Sequence, residues 1–162
     1  MKIRKARLND AKQISYLNTL LDQWHANLDR FWALKQDTEH IMIQYTKKLI
    51  TSSDAVIYVA EETDRIIGFI LGIMKTNAPI FEVPVIGQVQ VAFIVEEFRR
   101  QRIGKALVDA LFQWFYSKQV KYIEVSSDVR NVLGICAWKK YGFHEAVIKL
   151  RLDLNDYAFT TK

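Results

Sequence analysis

Arg99, Arg100, Arg102 and Lys105 place four cations within seven positions, with Gly104 among them. They belong to the segment EEFRRQRIGKAL, which leaves an apolar alternation and enters a helical one. A loop that opens a helix after a strand points several backbone N–H groups into one concavity, and the helix macrodipole adds partial positive charge there. Cations at a helix N-terminus oppose that dipole, so the placement wants an anion. A pyrophosphate is the natural guest: Gly104 lets the backbone approach it closely, and the guanidinium groups reach its outer oxygens.

The elements that must hold this loop are readable from periodicity. Residues 2–7 read as a first strand, ahead of a helix start at Asn9 and Asp10. Ile14, Leu17, Leu20, Leu21, Trp24 and Leu28 recur at spacings of three and four, predicting a helix from Ala11 to about Asn27, and a second helix is predicted from about Thr38 to Ile50. Ala55 to Ala60 and Arg65 to Met74, separated by Thr63 and Asp64, predict a β-hairpin. Lys75 to Val85, with both prolines, reads as a loop feeding a strand from Ile86 to Val95. Ile103, Leu107, Leu111, Trp114 and Phe115 describe a long amphipathic helix, followed by a strand over 120–126. Such a strand, helix, strand unit normally makes parallel strands. A short helix from Asn131 to Tyr141 ends at Gly142, and Phe143 to Leu154 alternates as a last strand.

Composition sets bounds. At 162 residues, half of them apolar and with no linker or repeat, one domain over 1–162 is expected. No apolar run suits a bilayer span and the N-terminus lacks a signal-peptide core, so a cytoplasmic protein with no membrane partner is expected. Cys136 is the single cysteine; it is read as a small core side chain, and no metal site is expected. The net charge of +5 raises nucleic-acid binding, but the clustered cations suit one small polyanion better than a duplex, and no nucleic-acid motif is present. Trp24, Phe31 and Trp32 are read as core in preference to walls of a ligand pocket, and His25 and His144 as ordinary histidines.

The loop resembles the signature of the GCN5-related N-acetyltransferases, Arg or Gln, two residues, Gly, one residue, Gly or Ala. Here it runs Arg99, Arg100, Gln101, Arg102, Ile103, Gly104, with Arg102 at the first glycine position. A second stretch is similar to the family at matching spacing: Asn131, Gly134, Ile135, Ala137, Trp138, Gly142 and Phe143. Two motifs in order, with the preceding helices and hairpin, extend the resemblance over nearly the whole chain.

The resemblance implies a mixed α/β fold with a central mixed sheet of about six strands flanked by four helices. It implies an acetyltransferase that uses acetyl-CoA as cosubstrate and acetylates an amine of a small molecule or peptide by direct attack in a ternary complex. The alternative is an acyl-CoA-binding regulatory module without turnover. Phe93, Ile94 and Val95 would supply the backbone that binds the pantetheine arm and stabilises the oxyanion, with Arg99, Arg100, Gln101, Arg102, Ile103, Gly104 and Lys105 around the pyrophosphate. Asn131 either caps its helix or hydrogen-bonds the pantetheine. The family's usual tyrosine, which protonates the leaving thiolate, is replaced by Trp138, whose indole has no useful acidity, so the catalytic candidate is Tyr141 one turn on. Gln88 and Gln90 cannot titrate, leaving a water chain to Glu124 or His25, or solvent itself, to accept the amine's proton. An exposed edge of the sheet could pair two copies as a homodimer.

Overall fold

The computed structural model describes residues 1–157. In the first unit, Met1–Ser126, five strands form one sheet: β1 Lys2–Lys5, β2 Ala55–Glu62, β3 Arg65–Thr76, β4 Val85–Ile94 and β5 Ile123–Val125. They lie in the order β1-β2-β3-β4-β5, antiparallel from β1 to β4, with β5 parallel to β4. Three helices pack on this sheet: α1 Ala11–Leu28, α2 Glu39–Thr51 and α3 Ile103–Ser117. The hairpin turn falls at Thr63 and Asp64, both with positive φ (49° and 61°), the geometry that matches strand twist in a two-residue turn.

The two faces of the sheet are occupied differently. On one, Ile14 and Leu17 of α1 meet Ile57, Val59, Phe69 and Leu71, with Val91, Phe93 and Val95 packed beside them. On the other, Leu111 and Phe115 of α3 press against glycines: a Cβ at Gly87 would come within 2.8 Å of the Phe115 ring, and one at Gly72 would collide with Leu111. Phe115 and Leu111 are fully buried, each stabilising the fold by roughly 2 kcal/mol relative to exposure. The N-terminus is tied down by Arg4, which pairs with Glu61 on β2 and, at 2.6 and 3.0 Å, with both carboxylate oxygens of Asp10 before α1. Asp10 also accepts from the Arg7 amide at 2.6 Å.

The second unit, from Ser127 onward, contains α4 Val132–Lys140. Gly142, at φ 96°, takes the left-handed position that ends it, as the sequence predicts. The strand expected over Phe143 to Leu154 does not form: through Asp153 no described residue of this segment joins a sheet, and Leu154–Asp156 makes a single helical turn. Val147, Ile148 and Leu150 are each more than four-fifths exposed. Alternation fixes which side chains share a face, but a strand also needs a neighbour for its N–H and C=O groups, and alternation does not supply one. Among the described residues the sheet therefore has five strands where about six were expected, with four α-helices as expected. Cys136, expected in the core, is exposed on α4.

Candidate active site

A single extra residue in β4 shapes the site. Gly72 pairs with Val89, but Leu71 pairs with Val91, so Gln90 is bulged out of register. Before the bulge the Gly87 amide points to the β5 side, donating to Tyr122 O at 2.9 Å. Beyond it the Val95 amide donates to Ile67 O at 2.9 Å, on the β3 side. Antiparallel alternation from that bond turns the Phe93 amide toward β3 as well, and those of Ala92 and Ile94 away from it. The β4 to β5 pairing stops at Val89 and Val125, so from Gln90 onward the second edge of β4 has no strand beside it among the described residues. Of Phe93, Ile94 and Val95, expected to bind the pantetheine through their backbone, Ile94 turns its amide to the edge away from β3. Phe93 and Val95 turn their amides toward β3 and pack against the core, and Ala92, which sequence reading did not single out, shares the outward edge with Ile94.

The loop from Val95 to Arg102 carries the basic cluster. A helical turn over Glu96–Phe98 leads to Arg100 and Arg102, both left-handed, at φ 63° and 62°. Arg102, standing where the family motif has glycine, thus adopts the glycine conformation, at a cost of roughly 1–2 kcal/mol. It is the N-cap of α3 and offers no side-chain cap; the first intrahelical bond runs from the Ala106 amide to Arg102 O at 3.2 Å. The amides of Ile103, Gly104 and Lys105 therefore have no acceptor among the described residues, the arrangement that binds an anion.

The side chains of the cluster divide. Arg99 Nε donates to Ile94 O at 3.0 Å, and Gln101 Nε2 to Glu97 O at 3.2 Å, so these two fasten the loop. Lys105 Nζ is held by Asp109 at 2.7 and 2.9 Å. Arg100 and Arg102 are exposed, with no side-chain partner among the described residues. On β4 and β5, Gln90 Nε2 donates to Gln88 Oε1 at 2.9 Å, and Gln88 is in register with Glu124.

In the second unit, Asn131 Oδ1 accepts from the Gly134 amide at 3.0 Å, so it caps α4. The same contact accounts for Gly134, since a Cβ there would lie within 3 Å of the Asn131 amide group. Trp138 meets Tyr141 and Phe143 edge-on, with ring centroids 5.9 and 5.6 Å apart. Trp24, Phe31 and Trp32, read as core, are 39%, 58% and 44% exposed at the end of α1 and the turn after it. Among the described residues no group of three His, Cys, Asp or Glu side chains gathers as a metal site, and no helix is long and apolar enough to cross a membrane.

The profile of the acetyltransferase (GNAT) family matches residues 13–143, and the chain belongs to that family. A sequence comparison with curated proteins finds no match. Similar solved structures include a predicted acetyltransferase with acetyl-CoA from Clostridium acetobutylicum, 19% identical over 98% of this chain and 99% of that one, with a TM-score of 0.77. An aminoglycoside 6'-N-acetyltransferase from Acinetobacter haemolyticus is 16% identical over 94% of this chain and 97% of that one, at 0.75. The acetyltransferase AAC(6')-Iy, in complex with the bisubstrate analog CoA-S-monomethyl-acetylneamine, is 17% identical over 94% and 97%, at 0.74. The chain is thus an acetyltransferase by family, with the mixed α/β fold of these structures.

Proposed function

We propose that the chain transfers an acetyl group from acetyl-CoA to an amine of a small molecule or peptide, by direct attack in a ternary complex. The observation that carries this reading is the run of unpaired amides at Ile103, Gly104 and Lys105, flanked by the unengaged guanidinium groups of Arg100 and Arg102. The pyrophosphate of acetyl-CoA lies on those amides, and the pantetheine follows the open edge of β4 at Ala92 and Ile94, which offers it the hydrogen bonds of a missing strand. Structural neighbours with acetyl-CoA or a CoA conjugate bound support the ligand class. The family profile runs from the first unit into the second, which supports treating residues 1–162 as one acetyltransferase domain.

In the reaction the amine nitrogen attacks the thioester carbonyl, the carbon–sulfur bond breaks, and CoA leaves as thiolate. An alkyl ammonium must first lose a proton, since its pKa lies near roughly 10. Water is the acceptor we assign, because Gln88 and Gln90 hold each other and cannot titrate. Tyr141 is our proton donor to the thiolate, and holding both reactants in line supplies much of the rate. Trp138 at the usual tyrosine position is what favours the other reading, a binding module without turnover. Titrating the purified protein with acetyl-CoA, then following thiol release over a panel of amines, tests both. Failure to bind acetyl-CoA saturably rejects the site, and saturable binding with no release above background leaves the module.

A further inference from the structure

β1 stops short of the start of β2. Its register ends at Lys5 opposite Tyr58, and the last bond between the two segments runs from the Ala6 amide to Ile57 O at 2.8 Å. The Met74 amide donates to Asp54 O at 2.7 Å on the β3 side, so alternation turns the N–H and C=O of Ala55 the other way, to the edge that β1 has left. Ala55 is buried, and neither group has a partner among the described residues. An unpaired peptide group in such a place invites one from outside.

A cavity of about 330 Å³ opens on this edge, between the end of α2, the start of β2 and the end of α3. Ile50 and Trp114 are apolar walls, and two cations line it, Lys5 of β1 and Lys118 just past α3. Lys118 Nζ stands over the Trp114 ring, 5.9 Å from its centroid, and among the described residues neither ammonium has a carboxylate or a hydrogen-bond acceptor. The end of α3 does not use up Lys118. Trp114 O already accepts from Ser117 Oγ at 2.7 Å, and Phe115 O from the Lys118 and Val120 amides at 3.1 Å. Ser52 Oγ, also in the wall, accepts from the Asp54 amide at 3.1 Å, which leaves its hydroxyl hydrogen to give. The adjacent Asp54 carboxylate holds the Ser53 hydroxyl at 3.2 Å and does not line the cavity.

The cavity thus joins a strand-like pairing edge, an apolar wall and two free ammonium groups. We propose that it is a second ligand site, and that its ligand is an N-acylated amino acid with an apolar side chain. The ligand's amide pairs with Ala55 as one more strand residue would, its side chain lies on Ile50 and Trp114, and its carboxylate accepts from Lys5, Lys118 and Ser52 Oγ. A free amino acid would bring an ammonium where the amide should be, close to two lysines, and is disfavoured. This site is separate from the anion-binding amides at the start of α3, since 15 residues of helix, roughly 22 Å, lie between them.

The test titrates the intact protein, without acetyl-CoA, with N-acetyl-L-leucine and follows the backbone amide and indole resonances. The expected result is saturable shifts at Ala55 and at the Trp114 indole. N-acetyl-L-leucinamide, which lacks the carboxylate, and 4-methylpentanoate, which lacks the amide, should each bind roughly tenfold more weakly or worse. Lys5→Ala and Lys118→Ala should each lose roughly tenfold, and Lys121→Ala, outside the cavity, nothing. The Lys5 ammonium holds no partner, so Lys5→Ala keeps the parent's melting temperature and separates lost binding from lost folding. Absent saturation, equal affinity for the leucinamide, or indifference to both lysine substitutions overturns the site. So does competition by acetyl-CoA, which would put the compound at the other end of α3. Failure of acetyl-CoA to bind rejects the acetyltransferase reading and leaves this site standing.

Discussion

Arg99 Nε donates to the carbonyl oxygen of Ile94 at 3.0 Å, tying the basic loop back to the last residue of the strand it leaves. The four cations that look equivalent in sequence are therefore unequal: Arg99 fastens, Lys105 answers Asp109, and Arg100 and Arg102 stand unengaged.

That inequality predicts an order. Arg100→Ala and Arg102→Ala should each weaken acetyl-CoA binding by roughly tenfold, as loss of a charge-assisted phosphate contact does. Salt should shrink the difference between variant and parent. Lys105→Ala should change affinity little, because its charge is already answered. Calorimetric titration at two ionic strengths checks this, and equal losses at all three positions would contradict the division.

Arg102 separates backbone from charge. Arg102→Gly should keep the loop conformation and relieve the left-handed strain, so that stability changes by no more than about 1 kcal/mol in either direction while acetyl-CoA affinity falls as in the alanine variant. Arg102→Val, β-branched and ill suited to φ 62°, should lose stability as well. Urea melts beside the titration distinguish the two effects. A glycine variant that binds as tightly as the parent would show that the guanidinium does nothing for the ligand.

Much of this fold was visible beforehand, and what was hidden has a common cause. The helices followed from apolar spacing and the hairpin from two valine- and isoleucine-rich runs, because burial on one face dictates both patterns. The bulge at Gln90 was hidden because Val89, Gln90 and Val91 look like plain alternation. In the structure Val89 shares the α3 face with Gly87, while Val91 joins the cluster under α1, so two valines that seem to share a face lie on opposite ones. The exposed Trp24, Phe31 and Trp32 were misjudged because periodicity tells which side chains share a face, not what covers it.

The anchor of the N-terminal strand should set the acid limit of the protein. The Arg4 guanidinium holds the Asp10 carboxyl below its ordinary range, with the Arg7 amide helping, and Arg4 itself is raised by Asp10 and Glu61. A depressed acid stabilises the fold above the pKa it has in the unfolded chain. As pH falls through the ordinary carboxylate range the unfolded chain takes up the proton first, and the contribution is lost progressively until the lower folded pKa is passed. Urea midpoints should therefore drop as pH falls through and below the ordinary carboxylate range, and Asp10→Asn should flatten that drop while costing roughly 2–3 kcal/mol at neutral pH. An unchanged slope in the variant would remove Asp10 from the network's account.

Tyr141 is the sharpest test of turnover. It stands at the C-cap of α4, its ring edge-on to Trp138, and it is the phenol we assign to the leaving thiolate. Tyr141→Phe keeps the ring contact and removes only the hydroxyl, so kcat should fall roughly a hundred- to ten-thousandfold, the usual contribution of a general acid, with acetyl-CoA affinity intact. Trp138→Tyr should return part of the loss if it restores the family's phenol. Unchanged kcat in Tyr141→Phe would mean that solvent protonates the thiolate.

The bare apolar segment after α4 predicts association. Val147, Ile148, Leu150 and Leu152 are 61–87% exposed, a strand's worth of side chains with no strand to pair with among the described residues. Leaving them in water forgoes roughly 1.5–3 kcal/mol for each that could be covered. We expect a second copy to cover them, its sheet edge supplying the missing backbone partners as in strand addition. Sedimentation should then give a dimer, and Ile148→Asp with Leu150→Asp should give a monomer that still binds acetyl-CoA, since neither residue lies in the loop from Val95 to Lys105. A monomeric parent protein at micromolar concentration would refute the pairing without touching the active site.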